Sequence, residues 1–332
     1  MEKMSGSKEL HIHSHSHEMT DPSLITSRRG IRVVKWSFVA LMATALVQLV
    51  FVGYTGSIAL FSDTLHNFGD ALTAIPLYIA FRLSMRPPTP RYSYGYGRLE
   101  DLAGLAILAV IFASALFAIY ESVNRFLNPQ PVSYIWAVAV AAVIGMLGNE
   151  LVARYRMREG RAIGSAALVA DGQHARVDAL TSLAVLIGVF GVWAGFPLAD
   201  PAVGFIIGGM ILLIARNTGK SVFRRLMDGV DPAIIDEIRH AASHVSGVIE
   251  LSEVRVRWLG HRLQAELNIT VDPSITVEEG HEIAMEVQHQ LLQHLKYLDA
   301  ATIHVDPATA SGESFHHMPT WSELPQPDET AE

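Results

Sequence analysis

The chain has 332 residues, half of them hydrophobic and 17% charged, with a mean hydropathy of +0.28; it is too apolar for an ordinary soluble enzyme. Its formal charge of −8 includes no basic tract, which argues against a nucleic-acid partner. The absence of cysteine excludes a disulfide framework and thiolate metal sites, and leaves the redox compartment undetermined.

Residues 1–30 are polar and are predicted to be a disordered leader. They contain His11, His13, His15 and His17 in HIHSHSH. Alternating histidines in a flexible segment bind Zn²⁺ or similar ions loosely; an inert tail is the alternative. No cleavable signal peptide is expected, because no small-residue cleavage site follows the first apolar run. Apolar runs of spanning length fall at about Val33–Tyr54, Ile58–Phe81, Leu102–Leu127, Val132–Val152, Ala162–Ala194 and Ala202–Ala215. They predict six transmembrane helices within residues 31–220. The leader and the second, fourth and sixth connections carry the clustered Lys and Arg, whereas the third has only Arg125 and the first and fifth have none. This distribution places both termini in the cytoplasm.

The second and fifth runs hold one motif written twice. Gly56–Thr73 reads GSIALFSDTLHNFGDALT and Gly164–Thr181 reads GSAALVADGQHARVDALT, identical at 10 of 18 positions. Each copy carries His and Asp four residues apart, His66/Asp70 and His174/Asp178, so each pair shares a helix face. The two helices are three spans apart and are expected to run antiparallel, as in inverted-repeat transporters. Each histidine lies ten residues into its helix, roughly 15 Å deep at about 1.5 Å per residue, near the middle of a core roughly 30 Å thick. Ionisable groups at that depth are costly and mark function. Together they read as one four-ligand metal site.

Asp63 and Asp171 precede each histidine by three residues on nearly the same face. They are compatible with second-shell partners of the imidazoles, an access path or plain helix packing. Arg176 falls on another face, where it is expected to neutralise an acid. Pro76, beyond Asp70, removes a backbone hydrogen bond and is a candidate kink. Asp200-Pro201 reads as a helix N-cap followed by a first-turn proline.

From about residue 221 the composition turns soluble. Pro232–Val245 and Thr276–Leu295 read as helices, and Ile249–Trp258, Arg262–Val271 and Ala301–Val305 as strands. The order α-β-β-α-β predicts a small α+β domain over residues 221–308, followed by a disordered tail over 309–332. The whole is therefore an α-helical membrane protein with an inverted repeat and a cytoplasmic α+β domain.

Two imidazoles and two carboxylates suit a four-coordinate borderline ion, so Zn²⁺ is the natural guest, with Cd²⁺, Fe²⁺ or Mn²⁺ as alternatives. Two carboxylates balance a divalent charge in a low-dielectric setting. Ligands must lose protons to bind metal, so competition between metal and protons at one site is sufficient for antiport. No HExxH occurs to support an intramembrane metalloprotease. A membrane metal sensor, suggested by the leader and soluble domain, needs no mid-membrane tetrad.

The spans, HNFGD, HARVD and the α-β-β-α-β tail together resemble the cation diffusion facilitator family over roughly residues 30–306, in its bacterial zinc/proton antiporter type. The resemblance implies a homodimer in the inner membrane, zinc efflux driven by inward proton flow, and a metallochaperone-like cytoplasmic domain. Members with histidine in the first motif are generally zinc transporters, and manganese members tend to have Asp there. His281, His304 and Asp306 match the family's cytoplasmic metal site, but Ser252 and Glu266 stand where some relatives have histidines, which implies a weaker or single-metal site. Relatives join the two parts by an ion pair whose matching residues here are Arg98 in GYGRLED and Asp228 in RRLMDGV. Arg91 and Tyr94 stand near the positions of another family site, which is therefore not expected in the second connection.

Overall fold

A computed structural model describes residues 22–55, 58–127, 135–196 and 198–310, without the side chains of residues 22, 23, 55, 58–63, 66 and 310. The leader histidines His11, His13, His15 and His17 and nearly all of the predicted tail lie outside the described residues. In chain order the helices are α1 (Pro22–Thr55), α2 (Ile58–Leu72), α3 (Ala74–Ser84), α4 (Arg98–Leu127), α5 (Ile135–Ile163), α6 (Ala166–Trp193) and α7 (Ala199–Leu226). The soluble domain follows as α8 (Pro232–Ser243), β1 (Glu250–Leu259), β2 (Arg262–Val271), α9 (Val277–His294) and β3 (Leu298–Pro307).

Five helices, α1, α4, α5, α6 and α7, are long and apolar enough to cross a membrane. Their outer faces carry large apolar side chains such as Trp36, Phe117, Trp136 and Phe190, more than half exposed. The remaining predicted span is broken. α2 and α3 have 15 and 11 residues and meet at Thr73. Pro76 has no N–H to give the Leu72 carbonyl, and both the backbone N–H (3.2 Å) and the hydroxyl (2.6 Å) of Thr73 turn to the Asp70 carbonyl. A kink was expected from Pro76; the outcome is two helices.

Four further boundaries differ from expectation. Residues 22–30, assigned to the leader, form the first turns of α1, and α7 runs to Leu226, past the predicted start of the soluble domain. Asp200 is not an N-cap: Leu198 holds that position, and the Asp200 carboxylate instead receives Arg125 at 3.0 Å. β3 extends to ten residues because its parallel pairing with β2 continues from Leu263↔Leu298 to Val271↔Pro307.

α5 and α6 pack along their lengths, as do α4 and α7. Close approach of α5 and α6 depends on Gly172, where a Cβ would lie 2.7 Å from Met157 Cγ and 2.9 Å from its backbone nitrogen. Small residues at such contacts let membrane helices touch. The bundle core includes Leu77, Phe81, Ile107, Ile111, Leu168 and Ile211. In the soluble domain β1 and β2 are antiparallel and β2 and β3 parallel, joined by the α9 crossover. One face of this sheet and the two helices bury Ile238, Leu263, Leu267, Ile269, Val287 and Leu291.

Candidate metal site and its setting

α6 starts where Ser165 caps it. The Ser165 hydroxyl accepts from Leu168 N–H at 3.0 Å and donates to Glu100 of α4. Gly164, at φ +74°, supplies the left-handed residue that the tight α5–α6 turn requires. One and a half turns further, Asp171 leaves the helix toward α5, followed by His174 and Asp178. The repeat survives in detail. Thr181 bonds the Asp178 carbonyl at 2.9 Å as Thr73 bonds that of Asp70, and Ala71 and Ala179 are both buried.

Asp70, His174 and Asp178 come together, all buried. His174 Nε2 lies 3.6 Å from Asp70 Oδ1 and its Nδ1 3.8 Å from Asp178 Oδ1. Neither ring nitrogen has a hydrogen-bond partner among the described residues. Ligands at zinc-bond length around a tetrahedral ion stand about 3.4 Å apart. The spacing is thus too wide for hydrogen bonds and close to that of groups sharing one ion. Among the described residues, this is the only group of three or more His, Asp or Glu with ligand atoms within 4.8 Å. His66 sits one turn before Asp70 on α2 and Asp63 three residues earlier; their side chains lie outside the described residues.

Asp171 does not face this group through a hydrogen bond. Its Oδ2 is 2.9 Å from Arg156 Nη1 of α5, and both side chains are fully buried, 0% and 1% exposed. Arg176 neutralises an acid as expected: it reaches Glu150 of α5 at 3.0 Å, which Arg154 also contacts. Sequence reasoning missed an amide bridge. Asn67, next to His66, donates to Gln48 of α1 at 2.6 Å, and Gln48 donates to the Ala141 carbonyl of α5 at 3.1 Å. The signal was present as a buried Gln in an apolar run, but a search for ionisable residues passes over amides.

The cytoplasmic set is only partly assembled. His304 Nε2 is 3.0 Å from Asp306 Oδ1. Glu266 pairs instead with Arg257 across β1 and β2 at 3.3 Å, and His281 is exposed on α9. Ser252 occupies the β1 bulge between Leu251 and Glu253. At the junction of the two parts, Arg98 at the start of α4 forms an ion pair with Asp228, and its Nη1 donates to the Arg225 carbonyl at 3.2 Å.

Comparison with known proteins agrees with this division. Residues 34–227 match the family model described as "Cation efflux transmembrane domain", and residues 230–308 that described as "Cation efflux protein, cytoplasmic domain". The chain is 49% identical to a "Probable cation efflux system protein" of Mycobacterium tuberculosis, over 89% of this chain and 90% of that one. It is 25% identical to the "Manganese efflux system protein MneP" of Bacillus subtilis, over 82% and 95%. The solved structure MamM-CTD is 30% identical over 23% of this chain and 96% of that chain, with a TM-score of 0.23. The protein is a multi-pass membrane transporter, not an enzyme, and the chain belongs to the cation efflux, or cation diffusion facilitator, family.

Proposed function

We propose that this cation efflux transporter exports Zn²⁺ from the cytoplasm in exchange for protons, through His66, Asp70, His174 and Asp178. The reading is carried by the position of His174 between two carboxylates, with neither ring nitrogen hydrogen-bonded among the described residues. A mixed nitrogen and oxygen donor set suits Zn²⁺, and the two carboxylates balance its charge where water is scarce. When the ion leaves, protons can take its place on the same groups, because each ligand binds metal only when deprotonated. The proposal includes a homodimer in the inner membrane with both termini cytoplasmic, supported by the match of residues 230–308 to the family's cytoplasmic domain and by the arginine-rich even connections.

Proteoliposomes loaded across a pH gradient test it. Zn²⁺ uptake should exceed that of Cd²⁺, Fe²⁺ and Mn²⁺, should acidify the opposite compartment, and should fall by at least about 100-fold in His174→Ala or Asp178→Ala. Transport near the wild-type rate in either variant would remove that residue as a ligand. A manganese reading is motivated by the relatives named for manganese efflux. It predicts instead that Mn²⁺ leads the panel, and that His66→Asp, which enriches the site in oxygen, leaves the metal ranking unchanged.

A further inference from the structure

The buried pair Arg156–Asp171 is not accounted for by the metal site or by the family match. Asp171 precedes His174 by three residues, about 4.5 Å along the axis, and Asp178 by seven, which returns a helix to within about 20° of the same face. It therefore stands on the ligand-bearing face of α6, on the side of the N-terminal end that the arginine distribution places in the cytoplasm. Its carboxylate is held mainly by charge. Arg156 Nη1 is 2.9 Å from Oδ2, yet neither Asp171 oxygen, nor Arg156 Nε or Nη2, has a hydrogen-bond partner among the described residues. Gly172 lies against Met157 of α5, so the two backbones approach closely at the residues adjoining Asp171 and Arg156.

We propose that Arg156 is a positioning residue that sets metal preference: it ties up the Asp171 carboxylate and so limits the transport site to two carboxylates. The inference rests on the reading of Asp70, His174 and Asp178 as metal ligands. With Arg156 present, the site offers a divalent ion two negative charges and imidazole nitrogen. Without it, a third carboxylate with vacant lone pairs stands one turn below His174, and the balance moves toward oxygen-preferring ions such as Mn²⁺. Without Asp171, a buried cation stands beside the path and opposes every divalent ion alike.

The test uses the full chain in proteoliposomes, with Zn²⁺ and Mn²⁺ supplied separately. Arg156→Gln should raise the ratio of Mn²⁺ to Zn²⁺ kcat/KM by about tenfold, the lower end of effects from residues that orient ligands. Asp171→Asn should raise KM for both ions by a similar factor and leave the ratio unchanged. The double variant should return both quantities to wild type, and Arg156→Lys should keep the wild-type ratio. If Arg156→Gln does not fold, the raised KM of Asp171→Asn and its recovery in the double variant carry the test. Singles with the wild-type ratio and KM would reduce the pair to packing and overturn the proposal. Asp178→Ala separates the two levels. If it transports normally, the metal-site reading fails; if it is inactive while Arg156→Gln keeps the wild-type ratio, only the present inference fails.

Discussion

His261 Nδ1 lies 2.7 Å from Glu100 Oε2, so the tip of the β1–β2 hairpin is bonded inside the cytoplasmic end of the helix bundle. Both side chains are buried, at 2% and 1% exposure. His261 Nε2 faces the Ser27 hydroxyl of α1 at 3.1 Å, and its ring rests 5.8 Å from that of Phe81 on α3. The other oxygen of Glu100 takes the Ser165 hydroxyl that caps α6. The neighbouring Gly260 adds two backbone bonds, its N–H to Asp101 and its carbonyl from Arg225. Arg225 in turn stacks on Trp258, with Cζ 4.0 Å from the ring centroid. One hairpin tip thus touches α1, α3, α4 and α7, and reaches the cap of the helix that carries His174 and Asp178.

His261→Ala should therefore cost more than a surface change. It leaves the Glu100 carboxylate buried beside a cavity, a loss on the order of 3 kcal/mol. The expected outcome is an earlier thermal transition and faster proteolytic release of the soluble domain in the purified full chain. Unchanged values for both would mean that the hairpin tip does not hold the domain in place.

Much of this architecture was legible in the sequence because it is written as pattern. Apolar runs bounded by arginine located the long helices, and strict alternation in Arg262–Val271 fixed β2 to the residue. The duplicated motif predicts that His66, Asp70, His174 and Asp178 meet, and among the described side chains Asp70, His174 and Asp178 come together. Apart from the local break at Pro76, what the pattern does not carry depends on a partner distant in sequence. Nothing near Asp171 announces Arg156, and nothing near Glu100 announces His261, 161 positions away. The outer residues of β3 carry no strand pattern of their own and gain strand geometry by pairing with β2.

Arg98 and Asp228 make a different kind of junction. Their side chains remain 38% and 48% exposed, and such pairs contribute at most about 1 kcal/mol. The pair is expected to act through position. Arg98→Asp and Asp228→Arg should each lower transport by up to about fivefold with little change in unfolding temperature, since roughly 1 kcal/mol of bias shifts a population by that factor. The double swap should recover part of the activity. Additive losses would identify two independent charges.

The cytoplasmic domain is expected to bind metal weakly, through His304 and Asp306. In full-length protein silenced at the transport site by Asp178→Ala, residual Zn²⁺ binding should weaken about tenfold on His304→Ala. Glu266→Ala should have a smaller effect, because Glu266 already serves Arg257. Titration calorimetry with no difference among these variants would leave the domain a module for pairing and docking.

The repeat provides its own control for the broken second span. The position that matches Pro76 in the other copy is Ala184, and α6 passes through it unbroken to Trp193. Thr73 and Thr181 make the same hydroxyl bond to the preceding Asp carbonyl, so threonine alone does not end the helix. Pro76→Ala restores an N–H that the Leu72 carbonyl can accept, a bond of about 1 kcal/mol, and removes the clash of the proline ring with that carbonyl. α2 and α3 should then join into one helix, seen as slowed hydrogen exchange across residues 73–77. That joining turns the segment bearing His66 and Asp70 relative to α6, so transport should fall while the thermal transition holds or rises. Ala184→Pro should break α6 in the same way and abolish transport. Wild-type transport in a Pro76→Ala protein whose exchange has slowed would show that the break is tolerated rather than used.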